Sequence, residues 1–223
     1  MKKNILIAAA FAVSILFLTA CNDSSTTKET TSDTAMNMDE GMNNMNGSGS
    51  KEHDQMMKKM MDDMSAVKMS GDFDVDFANM MIPHHQSAVD MAQSYLPKGK
   101  DEKIKTMAQN IIDAQKKEID ELKTLVANHK PSAKKDEHAG AGGEHNELMD
   151  IMNKTMEKMK GMKMTGDEDK DFVMMMIPHH QSAVDMAENE ISHGKHVEMK
   201  KFAQNVIDGQ SKEIKEFNEW LKK

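Results

Sequence analysis

Apolar positions recur at helical spacing along most of this chain, and the alternating pattern of a β-strand is absent. Met57, Met61 and Met64 fall at i, i+4 and i+7, which places them on one face of a first helix. The pattern predicts a second helix over about residues 73–95 and a third from about residue 101. A Ser-Gly-Asp turn separates the first two helices, and Asp72 in that turn is a candidate N-cap.

The three-helix pattern occurs twice. Shifting the sequence by 95 positions aligns residues 53–126 with residues 148–221 without a gap. Thirteen residues recur unchanged, starting at Met80 and again at Met175, and they read Met-Met-Ile-Pro-His-His-Gln-Ser-Ala-Val-Asp-Met-Ala. This match indicates one module present as two copies. Because each copy is small, we expect an all-α bundle in which the copies pack on each other or on a flanking helix.

The remaining segments have other compositions. Residues 1–20 begin with lysines and continue into an apolar run, which is typical of a lipoprotein signal peptide because small residues precede Cys21. An ordinary signal peptide with an incidental cysteine is the alternative. Residues 21–52 form a predicted disordered tether, residues 129–147 a flexible linker, and residues 53–128 and 148–223 the two helical repeats.

Lipidation at Cys21 would place the protein in a bacterial cell envelope, facing the periplasm, with the membrane contacted only through the anchor. Either leaflet fits the sequence. The formal net charge is −8, and removal of two lysines with the signal peptide lowers the basic count from 29 to 27 against 37 acids, giving −10. Such acidity disfavours nucleic acid as a partner, because nucleic-acid affinity rests on neutralising phosphates.

Methionine is unusually abundant. The chain has 26 methionines, so 25 remain without Met1, and only five leucines follow Cys21. Methionine stripes are commonly core packing, but leucine has similar volume and specifies a core better. The excess therefore favours a role for sulfur. Thioether and imidazole suit Cu(I), and a thioether binds metal without losing a proton.

The repeated block combines both ligand types. Met80 lies four residues before His84 and Met81 four before His85, so each pair shares a helix face. Asp90 or Gln86 is a candidate for orienting an imidazole ring. Pro83 must either kink this helix or start a new segment, because proline removes a backbone hydrogen bond.

The pattern Phe-x-x-Met-Met-Ile-Pro-His-His-Gln-Ser-Ala-Val-Asp-Met-Ala, from Phe77 and from Phe172, resembles the signature of the bacterial family described as domain of unknown function 305. The resemblance covers both copies. It implies a ferritin-like helical bundle, secreted or envelope-bound, with copper binding and tolerance in some members. By position it implies these metal ligands: Met80, Met81, His84, His85, Met91, Met175, Met176, His179, His180 and Met186.

Other methionines and histidines are additional candidates for binding metal. The first-helix stripes could be ligands or core, and they comprise Met57, Met61, Met64, Met152, Met156 and Met159. The tether methionines could form a mobile capturing arm, and they are Met36, Met38, Met42 and Met45. The linker histidines, either solvated or metal-binding, are His129, His138 and His145.

We expect a non-enzymatic protein that binds Cu(I), or Ag(I), to sequester it or pass it on, with no organic cofactor. A methionine-rich interaction protein or oxidant sink is one alternative, and self-association and a delivery partner are left open. A ferritin-like oxidase is another. Di-iron bundles need paired Glu-x-x-His motifs, whereas the helical repeats contain only Glu190-x-x-His193.

Overall fold

The computed structural model describes residues 48–130 and 144–223, and within these ranges it describes the side chains of residues 51–130 and 147–223. The signal peptide, Cys21, the tether methionines, His138 and the side chain of His145 lie outside the described residues. None of the described helices is long and apolar enough to cross a membrane.

The described residues form six α-helices and no β-strand, which confirms the predicted all-α, ferritin-like bundle. The helices are α1 (Ser48–Ser65), α2 (Phe73–Tyr95), α3 (Glu102–Asn128), α4 (Glu144–Lys160), α5 (Glu168–His193) and α6 (Val197–Leu221). The first helix of each copy starts earlier than the sequence boundaries suggest, at Ser48 rather than residue 53 and at Glu144 rather than residue 148.

Aspartates fix the starts of the central helices. Asp72 accepts a hydrogen bond from the Val75 backbone N–H and is the N-cap of α2, as predicted. In the preceding turn Gly71 has φ of 84°, a conformation that other residues rarely adopt. The buried Asp76 carboxylate accepts hydrogen bonds from the backbone N–H groups of Ser70 and Gly71. The second copy repeats this arrangement with Asp167, Gly166 and Asp171.

The long helices α2, α3, α5 and α6 form a four-helix bundle. Helix α2 packs against α3 and α5, and α5 packs against α6, so α2 and α5 lie at the junction of the two copies. Helices α1 and α4 lie against α2 and α5. Pro83 and Pro178 do not end their helices, since α2 and α5 each continue through the proline. The identical block of each copy therefore lies in the middle of the molecule.

Candidate metal centre

Helices α2 and α5 bring one histidine from each copy face to face. The ring centroids of His84 and His179 are 3.8 Å apart, with 33° between the ring planes. Both side chains are fully buried. The two residues occupy equivalent positions in the repeat, so the pair lies where the two copies meet.

Two serines from the same block hold the rings. Ser182 Oγ lies 2.7 Å from His84 Nε2, and Ser87 Oγ lies 2.7 Å from His179 Nε2, so each serine crosses to the other copy. Each hydroxyl also donates to the carbonyl three residues earlier in its own helix, at 2.7 Å. A hydroxyl has one proton. A serine that donates to its helix must therefore accept from Nε2–H, which leaves the imidazole Nδ1 unprotonated.

The Nδ1 atoms of both rings are buried, and no described group hydrogen-bonds to them. Burial is the main cause that holds the pKa of His84 and of His179 well below its usual range, and the neighbouring histidines lower it further. Both rings are therefore neutral at neutral pH and in mild acid. Neutral imidazole is the form that binds metal, so protons compete weakly here.

The second histidine of each block is fully buried and faces a glutamate. His85 Nε2 lies 3.0 Å from Glu118 Oε2 on α3, and His180 Nε2 lies 2.8 Å from Glu213 Oε2 on α6. These contacts are close but lack good hydrogen-bond angles, and Nδ1 of each ring has no hydrogen-bond partner among the described residues. Each ring centroid is 6.2 Å from that of its neighbouring block histidine.

The prediction that Asp90 or Gln86 orients an imidazole ring is wrong. The Gln86 amide donates to Asp90 at 2.8 Å on the outer side of α2, and Asp90 also pairs with Lys59 at 3.2 Å. Residues three and four positions apart share a helix face, but that rule does not say which face is buried. Serines hydrogen-bond to the facing rings instead, and glutamates contact the second histidine of each block. The glutamates could have been found from the sequence, because the tripeptide Lys-Glu-Ile recurs in both copies, at residues 117–119 and 212–214.

The methionines predicted as ligands line the same core. Five of the six are at most 3% exposed, and they are Met80, Met81, Met91, Met176 and Met186. Met175, the counterpart of Met80, is half-buried against the core. The block methionines and the block histidines are therefore buried in the same core.

In the first helix of each copy the buried face differs from the predicted stripe. Met57 and Met64 are buried, Met61 is half-buried, and Met60, which lies outside the predicted stripe, is 2% exposed. The Met60 sulfur lies 3.2 Å from Ser87 Oγ, beside the facing rings. In the second copy Met152 and Met159 are buried and Met156 is half-buried. The counterpart of Met60 is Thr155, so the sulfur environment of the two copies is unequal.

The four block histidines leave four buried Nδ1 atoms without hydrogen-bond partners, which is costly. An unsatisfied buried acceptor or donor costs about 1–3 kcal/mol. Apolar residues of similar shape would avoid that cost, so ordinary packing does not account for four histidines at the centre of a bundle. Neutral nitrogen lone pairs among thioethers are suited to a soft cation. The arrangement fits the binding of such an ion.

His129 is not a solvated linker residue. It is the C-cap of α3, its side chain is 8% exposed, and its Nε2 lies 2.9 Å from Asp72 Oδ2. The sequence did not indicate this, because His129 comes after the last apolar positions of α3 and two residues before Pro131, which is typical of a linker.

Comparison with known proteins adds three findings. The family model described as domain of unknown function (DUF305) matches residues 17–126 and 74–221. The structure of CopM in the Cu(I)-bound form is 33% identical, covers 67% of this chain and 95% of that chain, and has a TM-score of 0.50. The structure of CopM in the apo form is 34% identical, covers 67% of this chain and 96% of that chain, and has a TM-score of 0.50.

Two further relatives are more distant or partial. A putative secreted DUF305 protein from Streptomyces coelicolor is 21% identical over 69% of this chain and 94% of that chain, with a TM-score of 0.51, and shares the fold. An uncharacterized protein of Acanthamoeba polyphaga mimivirus is 37% identical over 57 residues, and that match spans 38% of its length.

Proposed function

The chain belongs to the DUF305 family, and we propose that it is an envelope-anchored protein that binds Cu(I), and by the same chemistry Ag(I), to sequester the ion or pass it on. The observation that carries this proposal is the buried pair of His84 and His179, whose rings face each other and whose Nδ1 atoms lack partners. The Cu(I)-bound form of the 33% identical CopM supports the same ion.

The charge of the site favours a monovalent ion. Its rings are neutral and its thioethers carry no charge, so the ligands themselves do not compensate the charge of a bound ion. The Born cost of burying an ion grows with the square of its charge, so a divalent ion costs about four times as much. Soft Cu(I) also suits thioether and imidazole, whereas Zn²⁺ sites in proteins use thiolate, imidazole or carboxylate.

The position of the pair changes the expected stoichiometry. Along the sequence, each copy carries its own set of candidate ligands. The structure instead places equivalent histidines from the two copies 3.8 Å apart, with each ring held by a serine of the other copy. We therefore assign one shared central site to which both copies contribute.

Glu213 connects the protein surface with a buried block histidine. A pocket of about 190 Å³ between α3 and α6 is lined by Met107, Asn110, Gly209, Lys212, Glu213 and Glu216. Glu213 is partly exposed and contacts the fully buried His180. We infer that the carboxylate at this position attracts a cation to the surface beside His180.

Burial of the methionines bears on the alternative of an interaction protein. Adaptable contact surfaces need exposed methionine, whereas the block methionines are largely buried. The ion-binding proposal also assigns a role to the histidines, which an oxidant sink does not need. No catalytic residue is assigned, and the protein is proposed to be non-enzymatic.

A Cu(I) titration against a competing chelator tests the shared site. We expect His84→Asn and His179→Asn each to weaken the tightest site at least tenfold, about 1.4 kcal/mol, because each variant removes half of one centre. His193→Asn, on the same helix as His179 but 27% exposed at its end, is the matched control and should bind normally. Unchanged Cu(I) affinity in both His84→Asn and His179→Asn would refute the proposal. Loss of half of the Cu(I) sites in each variant would show that the copies bind independently and do not share one site.

A further inference from the structure

The two ends of the central helix pair differ in one buried contact. At one end the Tyr95 hydroxyl donates to Asp169 at 2.5 Å, and the Asp169 carboxylate also accepts from the Lys100 and Asp101 backbone N–H groups. At the other end Asp74, the counterpart of Asp169, accepts from the N–H groups following α5. The counterpart of Tyr95 there is a glutamate.

That glutamate, Glu190, is fully buried. Neither of its carboxyl oxygens has a hydrogen-bond partner of good geometry among the described residues. The Asp74 carboxylate is the charged group that acts on it most strongly, the Asp72 carboxylate acts in the same direction, and Lys200 opposes them. A buried carboxyl group directed at a second carboxylate is costly unless a proton or a cation is shared between them.

Asp74 belongs to a cluster with mixed donors. One ligand atom each of Asp72, Asp74 and His129 lies within 4.8 Å of the others, and no other such group of three acidic, histidine or cysteine side chains occurs in the described ranges. Asp74 is 3% exposed, and the side chains of His129 and Asp72 are 8% and 15% exposed. Ligand atoms about 2.0–2.2 Å from one ion can be at most about 4.4 Å apart, so small side-chain shifts would close the site.

We propose that Asp72, Asp74 and His129 bind a divalent transition-metal ion, with Glu190 behind them as a further carboxyl ligand. This site lies near the start of α2 and the end of α3 and is chemically different from the central pair. Two carboxylates balance the charge of a divalent ion, and oxygen with imidazole suits Zn²⁺ or Cu²⁺ better than Cu(I). The C-terminal end of α3 next to His129 adds a favourable partial negative charge.

The second copy offers a matched control. Asp72 and Asp167 are both N-caps, of α2 and α5 respectively. Asparagine caps a helix nearly as well as aspartate, so Asp72→Asn and Asp167→Asn should both fold. Only Asp72 lies beside His129.

Calorimetry of the metal-free full chain with Zn²⁺, Cu²⁺ and Mg²⁺ tests the proposal. We expect Asp72→Asn and His129→Gln each to weaken one Zn²⁺ or Cu²⁺ site at least tenfold, whereas Asp167→Asn binds as the parent does. Helix content by circular dichroism and Cu(I) affinity should remain unchanged in all three variants, which separates this site from the central one.

Two results would overturn the proposal. One is equal Zn²⁺ and Cu²⁺ binding, in affinity and stoichiometry, by the parent, Asp72→Asn and His129→Gln. The other is a site that prefers Mg²⁺, because that would assign the carboxylates to a hard cation and leave the imidazole without a role. Neither result would affect the Cu(I) assignment.

Discussion

At the scale of single residues, the methionines of the block combine two roles that a substitution can separate. Leucine has nearly the volume of methionine and no sulfur, and volume-conserving exchanges usually cost less than about 1.5 kcal/mol. Met80, Met81 and Met91 are all buried. A change to leucine therefore removes candidate ligands while keeping the packing.

We expect Met80→Leu, Met81→Leu and Met91→Leu together to leave the melting temperature equal or higher, and to weaken Cu(I) binding at least tenfold. Chelator competition and thermal unfolding measure the two effects. Met162→Leu, half-buried at the edge of the core, is the control. Parent-like Cu(I) affinity in the triple variant would make these methionines packing residues only.

Glu190 gives a second residue-scale prediction, which concerns pH. Burial, with the Asp74 carboxylate, raises the pKa of Glu190 from 4.5 to about 10. Between these two values the folded chain keeps the proton and the unfolded chain loses it. Stability from this group is therefore complete below about pH 4.5 and declines as pH rises towards 10.

We expect Glu190→Gln, which imitates the protonated carboxyl, to raise the melting temperature at pH 9 relative to the parent and to change it little at pH 4. Thermal unfolding with a chelator present measures this without bound metal. Glu188→Gln, exposed on the same helix, should change neither value. An equal loss of stability by parent and Glu190→Gln between pH 4 and pH 9 would contradict the assignment.

At the scale of elements, helices α2 and α5 each need the other copy. The face of α2 that carries His84 is covered by α5, and Tyr95 at its end reaches Asp169 of the second copy. A single copy would expose this face, and a chain of that size buries little surface to offset it.

We expect residues 51–128 expressed alone to be marginally folded or to self-associate through α2, because a second copy can supply the missing helix face. Circular dichroism measures the helix content and sedimentation the oligomeric state of this fragment. Residues 51–223, measured in the same way, should be helical and monodisperse. A stable monomer of residues 51–128 would show that one copy folds independently.

At the scale of the whole molecule, the proposed membrane attachment rests on Cys21. Acyl chains contribute about 0.8 kcal/mol for each buried methylene group. We expect Cys21→Ala to move the protein from the membrane fraction to the soluble fraction, measured by fractionation and immunoblotting. Thr27→Ala in the same segment should leave the distribution unchanged. Retention of Cys21→Ala at the membrane would exclude the lipid anchor as the main attachment.

The sequence by itself determined the elements and their duplication. Helical spacing, the Asp72 cap and the 95-residue shift depend on nearby residues or on direct comparison along the chain, so they are visible without a structure. The repeated block also identified His84 and His179 as candidates, because soft ligand types stand out by composition. The all-α fold and the family followed from these features.

Only the tertiary structure decided which groups meet. The contacts between His84 and His179, and between Ser87 and His179, join residues more than 90 positions apart, and helical periodicity carries no information about which faces of two helices pack together. The same reason explains the error at Asp90 and Gln86, which are neighbours of the histidines along the helix but face outward. It also explains His129, which resembles a linker residue in the sequence and becomes buried because the end of α3 lies beside Asp72 at the start of α2.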